Sequence, residues 1–251
     1  NIVVYLNVKN KNQNLKKIFM IGILGGMGTQ AGLDFCNKLA VLNRGKIDQK
    51  YPLFILYNKS NIPKRPENLK KYFNVLKGLV VGCNLLQKNK CKFIVIPCNT
   101  AHYWYDDLQK KIKIPILSMP KEVYLHTKRR CKKNTKIGIL CTEATLKTGV
   151  YSKYFNKNFN LISPKNSLQK NSVNKAIKYV KMGKVREAEK TIRPAVKNLI
   201  NQKCKKIILG CTELPVAIFA YKSFKKIKES KIFIDPNLLL ANVSMKKYRK
   251  Q

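Results

Sequence analysis

Short apolar runs alternate with longer amphipathic stretches from Ile18 onward, and this rhythm is the first clue to the fold. The runs fall at 18–24, 53–57, 93–96, 114–117, 136–140, 206–209 and 232–234, lengths suited to strands. Between them, helical spacing predicts helices over 29–43, 67–88, 171–182 and 185–203, with Gly183 as a stop signal between the last two. Strand, helix, strand in succession predicts parallel sheets covered by helices.

A break at Ser118-Met119-Pro120 divides the chain into two similar halves. Each half opens with a strand running into a Gly- or Thr-rich turn, "IGILGGMGTQAG" at 21–32 and "IGILCTEATLKTG" at 137–149. Each half later carries a strand that ends at a cysteine: "VIPCNTAHYW" at 95–104 and "IILGCTELPV" at 207–216. The expected architecture is α/β, with two similar lobes that each hold a parallel sheet flanked by helices, and an active site in the cleft between them. Residues 18–117 plus 215–251 are expected to form the first lobe and 118–214 the second, after a polar extension over 1–17. Ligands of such sheets bind at the carboxyl ends of the strands, where both cysteines fall.

Composition changes this picture little. The apolar fraction of 45% in 251 residues is enough for a buried core. No apolar run approaches the length of a membrane span, and the start of the chain does not read as a secretion signal, so a cytoplasmic protein is expected, not at a membrane. The eight cysteines lie mostly inside apolar runs and are expected to be free thiols. The formal charge of +40 is unusual. Lysines occupy nearly every kind of polar position and are accompanied by Asn, Ile and Tyr, a pattern of compositional drift and not of a nucleic-acid site. No specific nucleic-acid partner is expected, although the charge would draw an acidic substrate inward.

Cys98 and Cys211 each follow a strand and precede a helix, a setting expected to lower a thiol's pKa. Their polar neighbours Asn99, Thr100, Thr212 and Glu213 stand where an apolar core would not want them. A single activated cysteine beside His102 would suit acyl transfer. Two opposed thiols suit proton exchange, one removing a proton from a substrate carbon and the other delivering a proton to the opposite face. His102 has three open roles: tuning Cys98, sharing a metal with it, or filling space. Without a second nearby His or a CxxC pattern, no metal is expected. The glycines at 22, 25, 26, 28 and 32 do not fit the dinucleotide fingerprint, and the turn is read as facing a carboxylate. Arg65, in the proline-stiffened loop "YNKSNIPKRPENL" at 57–69, is a candidate for bidentate carboxylate binding.

Taken together, "GILGGMGTQAG", "NIPKR", "IPCNTAH", "TEATLKTGVY", "VKMGKV", "LGCTELP" and "FIDPNLLLA" resemble, in order and spacing, the aspartate/glutamate racemase family, most closely its cofactor-independent aspartate racemase branch. The resemblance spans about 20–245. It implies a two-lobed homodimer acting on a small acidic amino acid, with Cys98 and Cys211 as the acid/base pair and neither pyridoxal phosphate nor metal. It further implies that Asn99, Thr100, Thr145 and Thr212 line the substrate site, that Arg65 and Lys181 bind substrate carboxylates, and that Met27 and Gly28 approach the substrate. Thr29 replaces the family's usual proline and Ala144 its usual glycine, changes that bear on substrate fit and remove no catalytic group. Alternatives are a related enzyme isomerising or decarboxylating another small diacid, and a catalytically idle binding protein.

Overall fold

A computed structural model describes residues 19–43, 47–65, 71–219 and 231–250; the extension expected over 1–17 lies outside the described residues. Among the described residues, eight strands form two parallel sheets. β1 (Ile21–Gly25), β2 (Phe54–Asn58), β3 (Phe93–Val95) and β4 (Ile116–Leu117) make the first, in the order β2-β1-β3-β4. β5 (Lys136–Leu140), β6 (Asn160–Ile162), β7 (Lys206–Leu209) and β8 (Phe233–Ile234) make the second, in the order β6-β5-β7-β8. The two orders are the same, so β1 corresponds to β5 and β3 to β7. The duplication suggested by the paired turns is therefore present in the topology. Register follows it, with Ile21 opposite Phe54 and Phe93, and Ile137 opposite Leu161 and Lys206.

Helices α1 (Thr29–Val41) and α2 (Tyr72–Lys88) cover the first sheet. α1 buries Ala31, Phe35 and Leu39, four residues apart on one face, and α2 buries Val75, Leu79, Cys83 and Leu86. With a layer on each side, all five residues of β1 are buried. The chain continues through α3 (Tyr105–Lys111), α4 (Met119–Lys128), α5 (Glu143–Lys147), α6 (Ser152–Phe155), α7 (Asn166–Leu168), α8 (Lys175–Lys181) and α9 (Val185–Asn201). α9 packs Ala188, Ile192, Val196 and Leu199 into the second lobe's core.

The final segment divides between the sheets. α10 (Leu214–Phe219) packs with α9, and β8 pairs with β7, so both stay with the second sheet. Among the described residues of this segment, α11 (Pro236–Tyr248) returns to the first, joining Leu240, Ala241 and Met245 to Phe35, Leu39 and Phe93. The 215–251 stretch expected in the first lobe is thus split at Asp235. That residue starts α11, its carboxylate accepting from the backbone N–H groups of Asn237 and Leu238 at 2.9 and 3.2 Å, with Pro236 in the first turn. Lys38 of α1 bridges Asp34 and Asp235 at 2.5 and 2.8 Å.

Two further differences have local causes. β6 carries only three residues and escaped the apolar pattern. The helix expected over 171–182 is interrupted by a π-helical stretch over Gln169–Asn174. This wider turn aims Gln169 Nε2 at the Cys141 carbonyl, 2.8 Å away, and Asn174 Nδ2 at Glu143, also 2.8 Å.

Candidate active site

Cys98 follows β3 after Ile96 and Pro97, its N–H bonded to the Ile96 carbonyl at 2.7 Å, and only 7% of the residue is exposed. A short 3-10 turn over Thr100–Trp104 carries His102 back beneath it. His102 Nδ1 lies 2.9 Å from the Cys98 carbonyl, and Nε2 accepts from the Met119 N–H at 3.0 Å. An imidazole that donates through Nδ1 and accepts through Nε2 is neutral, and burial pushes its pKa down. Both ring nitrogens are spent on backbone, so His102 fixes the turn. That answers the question left open by its spacing from Cys98.

Asn99, also buried, accepts a 2.6 Å bond from the Tyr151 hydroxyl through Oδ1. Its Nδ2 has no protein partner, and a buried donor without one is suited to a ligand.

Cys211 sits at the equivalent place after β7, 8% exposed, but its surroundings differ. Its Sγ donates to Glu213 Oε2 at 3.0 Å, and Thr212 Oγ1 donates to the same oxygen at 3.2 Å. Lys181 Nζ lies 3.6 Å from Glu213 Oε1. Burial first, and then the Glu213 charge and hydrogen bond, push the Cys211 thiol well above its ordinary pKa, with Lys181 pulling less strongly the other way. The expected lowering by a helix start is thus overturned at Cys211. α10 begins only at Leu214, and a contacting carboxylate outweighs the partial charge of a helix end.

The glycine turn after β1 closes the other side. Gly26 has φ +90, and a Cβ there would stand 2.3 Å from the Lys59 carbonyl carbon, so only glycine fits. The Arg65 guanidinium donates to the carbonyls of Met27, Pro63 and Ile62 at 2.8, 3.0 and 3.3 Å, clamping its loop to the turn. A Cβ on Gly28 would lie 3.7 Å from Glu213 Oε1, which places the first sheet's turn against the second sheet's carboxylate. Thr100 and Thr145 share a 2.7 Å hydrogen bond between the lobes, and Thr142 holds Thr145 at 3.0 Å.

Contacts thus join Arg65 and, on the first-sheet turn, Met27 and Gly28 to Glu213, and through it to Cys211, Thr212 and Lys181, while Asn99 and Thr100 beside Cys98 meet Tyr151 and Thr145 of the second lobe. Two participants carry roles that spacing did not reveal: Glu213, whose carboxylate engages the thiol, and Tyr151, which is fully buried. Among the described residues, no three His, Cys, Asp or Glu side chains cluster as a metal set, and no helix is long and apolar enough to cross a membrane. All eight cysteines are free thiols.

A family model for Asp/Glu/hydantoin racemases matches residues 24–243. The chain belongs to that family. It is 28% identical over 202 residues to a broad-specificity amino-acid racemase of Bacillus subtilis, covering 78% of this chain and 86% of the relative. Among solved structures, the aspartate racemase of Picrophilus torridus is 30% identical, with a TM-score of 0.75 over 92% of this chain and 98% of that one. An aspartate racemase homologue from Pyrococcus horikoshii shares the fold at 23% identity, with a TM-score of 0.74 over 92% and 99% of the two chains. The reaction class is that of an amino-acid racemase, an isomerase.

Proposed function

We propose that this racemase interconverts L- and D-aspartate, with glutamate as a second acidic substrate, by moving protons between Cys98, the substrate Cα and Cys211. The observation that carries the reading is the asymmetry of two thiols at equivalent strand ends. Cys211 rests as a thiol against Glu213, whereas both nitrogens of the imidazole next to Cys98 are tied to backbone. In the forward direction the Cys98 thiolate takes the Cα proton from one face. Cys211 gives its S–H proton to the other face of the carbanion and becomes the thiolate. The opposite enantiomer runs the same steps in reverse.

A thiolate removes so weakly acidic a proton only if the developing carbanion is stabilised in a site closed to water. Asn99 Nδ2 is the free donor best suited to that charge, with the hydroxyls of Thr100, Thr145 and Thr212 as further donors in this reading. Arg65 and Lys181 supply the cations for the substrate's carboxylates, with Met27 and Gly28 forming the wall between them. This chemistry calls for no cofactor. A homodimer and a cytoplasmic setting belong to the same reading and rest on the family resemblance.

A wider substrate range is a second reading, favoured by two observations. One is the similarity to a broad-specificity racemase. The other is the Lys181–Glu213 contact, because Glu213 competes with an acidic side chain for that cation. The test is proton NMR of the reduced protein with L-aspartate in D₂O, alongside chiral analysis. Deuterium at Cα together with D-aspartate is expected. Neither signal with aspartate or glutamate, from folded and reduced protein, overturns the acidic-substrate reading. Exchange confined to other amino acids selects the wider range.

A further inference from the structure

A second cavity, of about 200 Å³, lies between the lobes immediately beyond the catalytic turns. That volume is room for roughly six or seven waters, or one small organic molecule. On one side it is lined by His102, Tyr105, Asp106 and Ser118, and on the other by Thr148, Lys153 and Tyr154. Its walls touch the backbone of the site already described. His102 bonds the Cys98 carbonyl at 2.9 Å, and the Thr148 hydroxyl bonds the Thr145 carbonyl at 3.2 Å.

Three features of the lining define an occupant. Lys153 and Asp106 form an ion pair that crosses from one lobe to the other, with both side chains more than half exposed. Such a pair is weak and exchangeable. Ser118 is only 4% exposed. It lines the cavity and precedes α4 without using its hydroxyl as a cap, which leaves that hydroxyl available to a guest. The remaining walls are aromatic: Tyr105 stacks on His102 at 6.2 Å, and Lys153 stands 5.8 Å from the Tyr154 ring. Asp106, one of 12 acidic residues in a chain with 52 basic ones, lines this space together with the Tyr105 and Tyr154 rings, groups suited to an ammonium. A guest bearing one cation and one anion exchanges the Lys153–Asp106 pair for two new pairs without leaving either charge uncompensated.

We propose that this interlobe cavity is a second binding site, for a free α-amino acid zwitterion, with its carboxylate on Lys153 and Ser118 and its ammonium on Asp106 and the tyrosine faces. The site goes beyond the racemase reading. Because its walls hold the Cys98 and Thr145 carbonyls, occupancy is transmitted to the catalytic cleft and makes the racemase responsive to the amino-acid pool.

Equilibrium dialysis of the reduced full chain against labelled L-alanine tests it, comparing the wild type with Lys153→Met, Asp106→Asn and Ser118→Ala, each checked for folding by circular dichroism. At least one bound alanine is expected in the wild type, with affinity falling tenfold or more in Lys153→Met and in Asp106→Asn, which preserves side-chain volume. L-alanine is also expected to change the KM for aspartate by at least twofold in the wild type and not in Lys153→Met. No bound alanine in the wild type, or binding unchanged in all three variants, overturns the site. If Cα exchange with aspartate and glutamate is absent while one bound alanine still depends on Lys153, the acidic-substrate reading fails and this one stands.

Discussion

The turns at Cys98 and Cys211 occupy equivalent ends of β3 and β7, yet their titratable neighbours are of opposite kinds. At Cys98 the adjacent titratable side chain is an imidazole whose two nitrogens are consumed by backbone. At Cys211 it is a carboxylate that accepts the S–H. A duplicated fold supplied two matching positions, and single side chains made them unequal. The lesson is that equivalent positions of a duplicated fold receive unlike surroundings, with Cys211 held as a thiol against a carboxylate.

The strongest way to break that comparison is to remove either sulfur. Cys98→Ser and Cys211→Ser are each expected to lower kcat/KM for racemisation by about 10³, within the range for loss of a general acid or base, as read by chiral chromatography. An unaffected variant would end the two-thiol account.

Glu213→Gln sharpens the comparison. Without the carboxylate's charge the Cys211 pKa falls, so the limb of the pH–rate profile that reports this thiol moves to lower pH. Cys98→Ser would leave that limb in place when Cys211 is titrated by its rate of alkylation. A profile unmoved by Glu213→Gln would show that burial alone sets the thiol.

Tyr151→Phe tests the bond that ties Asn99 to the second lobe. It leaves Asn99 Oδ1 buried and unpaired, at a cost of about 1–3 kcal/mol, and a denaturant midpoint that does not fall would contradict the assignment. A smaller effect concerns His102. Burial lowers its folded pKa, so below about 6.5 the unfolded chain binds a proton that the folded chain refuses, and stability declines as pH falls from 7 toward 5. His126, whose pKa is lowered to about 4 by burial and by Arg130, Lys206, Arg129 and Lys246, adds to the same decline. His102→Asn should flatten the urea midpoint over that interval, and His126→Asn should flatten it independently.

Much of this arrangement was legible in the chain. Seven of the eight strands, the repeated turn and both cysteines could be read because parallel strands buried on both faces are continuous apolar runs and a repeat preserves its punctuation. β6 was not, since three residues before "SPKN" make no pattern. Nor was the split at Asp235, because a cap signal says where a helix begins and nothing about which sheet it covers. Glu213 was visible as an out-of-place polar residue, but its rotamer toward sulfur depends on the packing around it. Tyr151 reaches Asn99 across 52 positions, a pairing that no local rule anticipates.

The return of α11 to the first sheet has a consequence for how the polypeptide matures. Strands β1 to β4 and helix α1 precede the second sheet in the chain, but the Phe35–Leu39–Phe93 surface they create is covered by Leu240, Ala241 and Met245, which follow it. Synthesis from the N-terminus therefore cannot finish the first half first. The second sheet can be complete while its elder twin still waits, with an apolar face uncovered, for α11.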